Sequence, residues 1–492
     1  MKFKLKPVLR ALRVLLFAVL LMAALRYTGN FLCGSSENPL NRAGEGLYYQ
    51  LPGTVDVVYV GPSHVYSSIM PQLIFDQYGI TGYNFSTAAQ SFEGTYWALE
   101  EVIRLQHPKV AVVELVGATA DPTVRQAPIY YTGLCRLLSP FSPVKYRAVN
   151  ALMTDEKNSL AIRQSDGEGA AAPLDWTDFW RLTSFHAQYE TISAQNFRDL
   201  AGPALYAESK GYSPNYAVFD PASLPQQSYT AQQLQEVALS DWSLNILRRM
   251  VQLARRTNTR LVFMVAPYFT DAREQLLYAQ LADWTRQQGV ELIDYNKQKE
   301  SLGLNDAADY SDMSHLNDAG ARKVSMAMGQ YLADTGLFAD KRQNGLYRGW
   351  QSDSGNYDLW AQVGALYQND SAADAAQTLA ALNEDYVAVL AGTPDTQLAE
   401  VLQAAGFDAQ QGVSLCAVFD GSSWQLQTGA DRLERNVGGR KLVALTSGEG
   451  GYTVVDQTSQ YVERGVAVCV YSTLNGEQAY AGVLSGLTAQ TK

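Results

Sequence analysis

Short apolar runs alternate with helical periodicities over the first two thirds of the chain. Asp56-Val57-Val58-Tyr59-Val60 is a compact β-branched run that predicts a buried strand, ended by the turn signal Gly61-Pro62-Ser63. Gly82-Tyr83-Asn84-Phe85 predicts a second strand and closes on Ser86-Thr87; residues 110–115 predict a third. Residues 261–266, stopped by Pro267, and 291–295 predict a fourth and a fifth. The spacing of Tyr96, Leu99 and Ile103 predicts a helix over 92–106 that Pro108 stops, and similar periods predict helices over 238–256, 272–288 and 319–334. Strands alternating with helices specify an α/β fold, a parallel sheet flanked by helices on both faces. Sites in such sheets lie at the carboxyl ends of the strands. That places Ser63, Ser86 and the loop after Leu115 on one edge.

Between the third and fourth strands, residues 118–237 have a weaker pattern and many aromatics, among them Tyr130, Tyr131, Phe141, Trp176, Trp180 and Tyr189. So long a stretch predicts an inserted subdomain or lid over the sheet domain, which spans 50–338. Its aromatics either pack a small core or line a sugar-binding groove. A polar, Gly-rich stretch over 339–369 reads as a linker. A smaller, β-rich α+β domain follows over 370–492, with strands at 386–390, 414–419, 441–446, 451–456 and 465–471 and a helix over 396–405. Cys416 and Cys469 fall on its strands, either paired or as two buried thiols.

At the N-terminus, Lys2, Lys4, Lys6, Arg10 and Arg13 precede an uncharged run over 14–25, and Arg26 follows it. The charge asymmetry predicts a cytoplasmic N-terminus. Residues 1–35 read as an uncleaved signal anchor, with a cleaved signal peptide as the alternative. The expected location is the cell membrane, single-pass, with the catalytic domain extracellular.

Composition then narrows the chemistry. With 38 Lys and Arg against 49 Asp and Glu, the net charge is −11, and no basic stripe follows the first residues, so no nucleic-acid partner is expected. Four cysteines and four histidines, without metal-ligand spacing, predict no metal and no cofactor. Ser63 stands at a strand-to-turn corner. A serine hydroxyl is a poor nucleophile until a base takes its proton. In Asp312-Met313-Ser314-His315, His315 suits that role, with the acid three residues earlier orienting its ring. Structural roles compete with each: a turn or cap serine for Ser63, a satisfied core histidine for His315, a solvated acidic loop for Asp306, Asp309 and Asp312.

These stretches resemble a known family. Val57-Val58-Tyr59-Val60-Gly61-Pro62-Ser63-His64, Tyr83-Asn84-Phe85-Ser86-Thr87-Ala88-Ala89-Gln90-Ser91 and Asp312-Met313-Ser314-His315-Leu316-Asn317-Asp318-Ala319-Gly320 are similar to the blocks of the SGNH/GDSL hydrolase superfamily. The nearer likeness is to its membrane-anchored surface branch, which includes the D-alanyl transfer protein of teichoic acid synthesis and is related to alginate-type polysaccharide O-acetyltransferases. The resemblance implies an SGNH-type (flavodoxin-like) sheet with Ser63 as nucleophile, His315 as base and Asp312 as its orienting acid. It also implies an oxyanion hole from the backbone of Ser63 and Ser86, and His64 and Gln90 are candidate substrate contacts. Three departures stand out: Pro62 replaces a small residue and has no N–H, Ser86 stands where glycine is usual, and Gly117-Ala118-Thr119-Ala120 lacks the asparagine of the third block.

The second domain, through Tyr386-Val387-Ala388-Val389-Leu390, Ala417-Val418-Phe419-Asp420-Gly421 and Glu463-Arg464-Gly465-Val466-Ala467-Val468-Cys469-Val470-Tyr471, resembles the interleukin-like EMT-inducer domain. Together the likenesses imply a cell-surface serine acyltransferase or esterase acting on acetyl or D-alanyl groups of an envelope polysaccharide or teichoic-acid-like glycan. A membrane-bound O-acyltransferase is the expected partner. The alternative is a catalytically weak glycan-binding scaffold for such an enzyme.

Overall fold

The structure is a computed structural model that describes residues 5–33, 39–120, 129–154, 174–192, 196, 207–225, 228–366, 371–437, 439–455, 458–473, 478–484 and 489–491. The chain divides into two compact units. The first is Met1–Tyr66, Thr81–Gly211 and Gln226–Lys297; the second is Ser67–Ile80, Tyr212–Pro225 and Gln298–Lys492.

In the first unit, β1 (Val57–Gly61), β2 (Gly82–Ser86), β3 (Val110–Glu114), β4 (Arg260–Val265) and β5 (Glu291–Asp294) form a parallel sheet in the order β2-β1-β3-β4-β5. The five expected strands are all present. β1, β2 and β3 are buried at every position, which is why their sequences run apolar without alternation. The chain leaves β1 to one side for β2 and returns on the other as β3, so the order reverses between β1 and β3, where sheets of this kind open a ligand crevice.

Helices Phe92–Gln106, Asp241–Thr257 and Ala272–Gln288 flank the sheet. Ala98, Val102, Ile246 and Met250 join Val58, Val60, Val113 and Phe263 in one core. Local capping sets the helix ends. The Ser91 hydroxyl accepts the Gly94 N–H at 3.0 Å, and Asp271 and Glu274 form a reciprocal capping box.

The N-terminal helix Leu5–Cys33 belongs to this unit. Pro7–Cys33 is long and apolar enough to cross a membrane, and its most apolar 18-residue window has a mean hydropathy of 2.3. Of the expected insertion over 118–237, residues 121–128, 155–173, 193–195, 197–206 and 226–227 lie outside the described residues. Its described aromatics divide. Tyr131, Phe179 and Phe185 are buried, whereas Phe141, Tyr146, Trp176 and Tyr189 are exposed.

In the second unit, helix Pro71–Tyr78 packs on helix Asp318–Asp334, and the Ser325 hydroxyl accepts the Met70 N–H at 2.8 Å. Residues 339–366, expected as linker, carry short helices, because Tyr347, Trp350, Tyr357 and Trp360 bury against neighbours. Two antiparallel sheets, of six and four strands among the described residues, face one another farther on. Val387, Val389, Ala391 and Val418 of the first meet Leu433, Leu442, Ala444 and Val455 of the second. Cys416 and Cys469 are buried thiols and do not pair.

Asp318 is a buried acid of this unit. It is 5% exposed and accepts a hydrogen bond from the Tyr212 hydroxyl at 3.1 Å. Burial pushes its carboxyl up to about 6, against the pull of Arg322 and the Tyr212 bond. A raised acid binds a proton in the fold that the unfolded chain has already released. Stability is therefore full below the ordinary Asp value and falls as pH rises to about 6. Asp318→Asn mimics the protonated form. It is expected to melt with the wild type at pH 4 and to be about 1–3 kcal/mol more stable at pH 7.5, read from thermal melts across that range.

Candidate active site

Ser63 is the first residue of a short helix, Ser63–Ser68, that begins one residue after β1. From Thr54 to Phe75 every residue is buried except Ser63. The turn is tight for a steric reason. A Cβ on Gly61 would stand 2.8 Å from both the Glu114 Cβ and the Val65 Cγ2, closer than real side chains approach, so glycine alone lets β1 pass β3 here. Pro62 has no N–H to offer, but its carbonyl accepts the Val65 N–H at 3.0 Å and closes the turn.

Ser86 ends β2, in register with Gly61, and is wholly buried. Its hydroxyl has no hydrogen-bond partner among the described residues. Gln90 is also buried, at 4% exposure. Its amide oxygen accepts the Thr87 hydroxyl and its amide nitrogen donates to the Thr95 hydroxyl, each at 3.1 Å, so it braces the loop after β2.

His64 turns inward. It is 5% exposed, its Nδ1 lies 3.4 Å from Glu114 Oε1, and its ring centre is 4.9 Å from that of Tyr268. Glu114 is fully buried at the end of β3, and its Oε2 accepts the Val116 N–H at 2.9 Å. The Tyr268 hydroxyl donates to Glu274 at 2.9 Å and meets the Tyr278 hydroxyl at 2.9 Å. Burial drives both phenols well above the ordinary tyrosine value, so they stay protonated. Asn296 ties the loop after β4, donating to the Ala266 carbonyl and accepting the Tyr268 N–H. A polar chain thus runs beneath Ser63 along the carboxyl ends of β1, β3 and β4. Sequence reasoning missed Glu114, Tyr268 and Asn296. One signal was present: an acid closing the otherwise apolar strand Val110-Ala111-Val112-Val113-Glu114.

Asp312 and His315 lie in the second unit, on a loop pinned at both ends. Ser311 donates its N–H to the His315 carbonyl at 2.9 Å, and Asn317 donates its own to the Asp309 carbonyl at 3.0 Å. Asp309 is buried and holds Lys323 at 2.7 Å, which separates it from the half-exposed Asp312. Asn317 caps the helix that follows. A Cβ on Gly320 would lie 2.3 Å from the Asp309 carbonyl oxygen, so the helix can approach this loop only with glycine there.

Asp312 Oδ1 accepts the backbone N–H groups of Ser314 and His315 at 2.7 and 2.9 Å, while Oδ2 lies 2.8 Å from His315 Nδ1. Burial raises the Asp312 pKa, but the His315 ring and these two N–H groups outweigh it and hold the carboxyl below its usual value. An ionised acid at Nδ1 fixes the tautomer with its proton on that nitrogen and leaves Nε2 as the basic atom. Among the described residues, no group of three or more His, Cys, Asp or Glu is placed to hold a metal ion.

The structure therefore gathers Ser63, His64 and Ser86 at one sheet edge of the first unit and joins Asp312 to His315 in the second. No protein-family model matches the chain, and no curated protein matches it.

Proposed function

We propose that the chain is a membrane-anchored serine acyltransferase or esterase of the SGNH type, acting on acetyl or D-alanyl groups of an envelope or secreted glycan. The observation that carries this reading is the carboxylate-held imidazole of Asp312 and His315, the base half of an acyl-transfer site. Ser63, the solvent-reaching residue in a buried run at the switch point of the sheet, supplies the nucleophile. Its Oγ attacks the acyl carbonyl while His315 Nε2 takes its proton. The proton passes to the departing alcohol, and the acyl group stays on Ser63 as an ester. A sugar hydroxyl then attacks that ester, giving its proton to His315; the bond from the acyl carbon to Ser63 Oγ breaks, His315 returns the proton to Oγ, and the sugar leaves acylated, whereas water in its place gives hydrolysis. Backbone N–H groups of Ser63 and Ser86 stabilise the oxyanion, each donor contributing about 3 kcal/mol to the transition state.

The N-terminal helix holds the enzyme at the cell membrane with its catalytic part outside. There a membrane-bound O-acyltransferase delivers the acyl group, and the C-terminal β-rich domain, similar to the interleukin-like EMT-inducer domain, keeps the polymer near. A fluorophosphonate probe tests the reading. Ser63 is expected to label in the wild-type protein, and labelling is expected to vanish in His315→Ala, with the adduct located by peptide mass spectrometry. A folded wild-type protein that never labels points instead to a glycan-binding scaffold. Wall polymers from a Ser63→Ala strain separate the two reactions: lower acyl content means transfer, higher means hydrolysis.

A further inference from the structure

The N-terminal helix ends against the body of its own unit, and a cavity of about 220 Å³ opens there. Leu12, Leu16 and Leu20 stand exposed on the free part of the helix, whereas Gly29 and Cys33 are buried. The contact at Gly29 is close: a Cβ there would lie 2.8 Å from the Leu182 backbone nitrogen. The exposed, uncharged stretch over 14–25 spans about 18 Å at about 1.5 Å per residue, and Arg10 and Arg13 before it extend their side chains to the opposite interface of a hydrocarbon core of roughly 30 Å. With that stretch in lipid, Arg26 and the cavity stand at the headgroup level where the helix leaves the membrane.

The lining is suited to that level. Met22, Leu25, Leu138 and Leu182 give it an apolar wall. Arg26, Arg136, Lys145 and Arg181 also line it, and among the described lining residues there is no carboxylate. This concentration of cations sits in a chain of net charge −11. Neutral acceptors orient three of them. Arg26 donates to the Ser139 hydroxyl at 3.2 Å, Arg136 to the Asp178 carbonyl at 2.8 Å, and Lys145 to the Cys135 carbonyl at 2.6 Å. Lys145 is buried, with its ammonium 4.2 Å from the centre of the Trp180 ring. Arg181 meets Glu45 at 2.5 Å, and Glu45 also serves Arg42, so one carboxylate is shared between two guanidinium groups.

We infer that this cavity binds the phosphate headgroup and the first chain methylenes of an anionic phospholipid from the leaflet at which the helix emerges. The phosphate sits on the guanidinium groups, which suit its geometry, and the chain runs down the apolar wall into the bilayer. A partner helix, about 10 Å across, does not enter a space of this size. The site is separate from the acyl chemistry, so Ser63→Ala is expected to bind lipid as the wild type does.

Native mass spectrometry of the full-length protein in detergent, offered dioleoylphosphatidylglycerol and dioleoylphosphatidylcholine in equal amounts, tests this. Phosphatidylglycerol is expected to be retained in preference. Arg26→Gln with Arg136→Gln is expected to weaken retention by roughly fivefold per cation, so about 25-fold together. Leu182→Trp, which fills the cavity and keeps the charges, is expected to lose retention too, and it decides the matter should the double variant fail to fold. Equal retention of both lipids, or retention untouched by a folded variant, overturns the inference. So does displacement of phosphatidylglycerol by millimolar inorganic phosphate, which would make this a soluble-anion site.

Discussion

The Asp312→Asn protein is expected to keep its fold and, if the proposed acyl transfer is its reaction, to lose about 10³–10⁴ of its turnover. The reason lies in how the two carboxylate oxygens divide their work. Oδ1 accepts the N–H groups of Ser314 and His315 and lies 3.0 Å from His315 Nδ1, while Oδ2 is the nearer of the two to that nitrogen, at 2.8 Å. Asparagine keeps an oxygen for the two backbone donors, so the loop holds its shape. Its NH₂ then stands opposite Nδ1, where two donors cannot face each other, and the imidazole moves its proton to Nε2 to accept from the amide. Nε2 then carries a proton and, in the mechanism proposed above, is no longer a base for Ser63. The expected readout is a fluorophosphonate labelling rate at Ser63 lowered by about that factor, with an unchanged melting temperature. An Asp312→Asn protein that labels like the wild type removes the dyad from the mechanism. A matching loss of melting temperature assigns Asp312 to the loop alone.

What the sequence disclosed follows from where each interaction is written. The strands of the parallel sheet were legible because their burial is complete, which forces continuous β-branched runs such as Val57-Val58-Tyr59-Val60. The outer strands of the second unit were not. Trp424–Thr428, Arg432–Val437 and Thr458–Val462 are polar, and the first two are largely part-exposed. Helix Pro71–Tyr78 was missed as well: it is only eight residues long, and its buried face includes the polar Gln72, which donates to the Trp350 carbonyl at 2.8 Å. The Gly-rich composition of 339–369 hid four buried aromatic rings. At the candidate site, Asp312 and His315 were legible because three residues of chain suffice to bring them together. His64 and Glu114 were not, because only the pairing of β1 with β3 makes them neighbours.

That tertiary pair carries the second large effect. Glu114→Ala is expected to destabilise the protein by about 2–4 kcal/mol, from the cavity it leaves and from the part-buried Val116 N–H it deprives of its acceptor. The melting temperature should fall by about 5–15 °C. Glu114→Gln keeps the volume and one acceptor oxygen, so its cost is about 1 kcal/mol. Its value is as a probe of Ser63. The Glu114 side chain is the surface against which Gly61 turns, and its carboxyl faces the ring of the residue next to the serine. If this chain of contacts sets where Ser63 sits, Glu114→Gln lowers the labelling rate by about tenfold while the fold persists, as small misplacements of reacting groups do. Labelling at the wild-type rate in that variant makes the polar chain a support for the sheet edge only. A melting curve of Glu114→Ala that overlays the wild type goes further, because no fully buried carboxyl with a backbone donor can be removed from a packed sheet without cost.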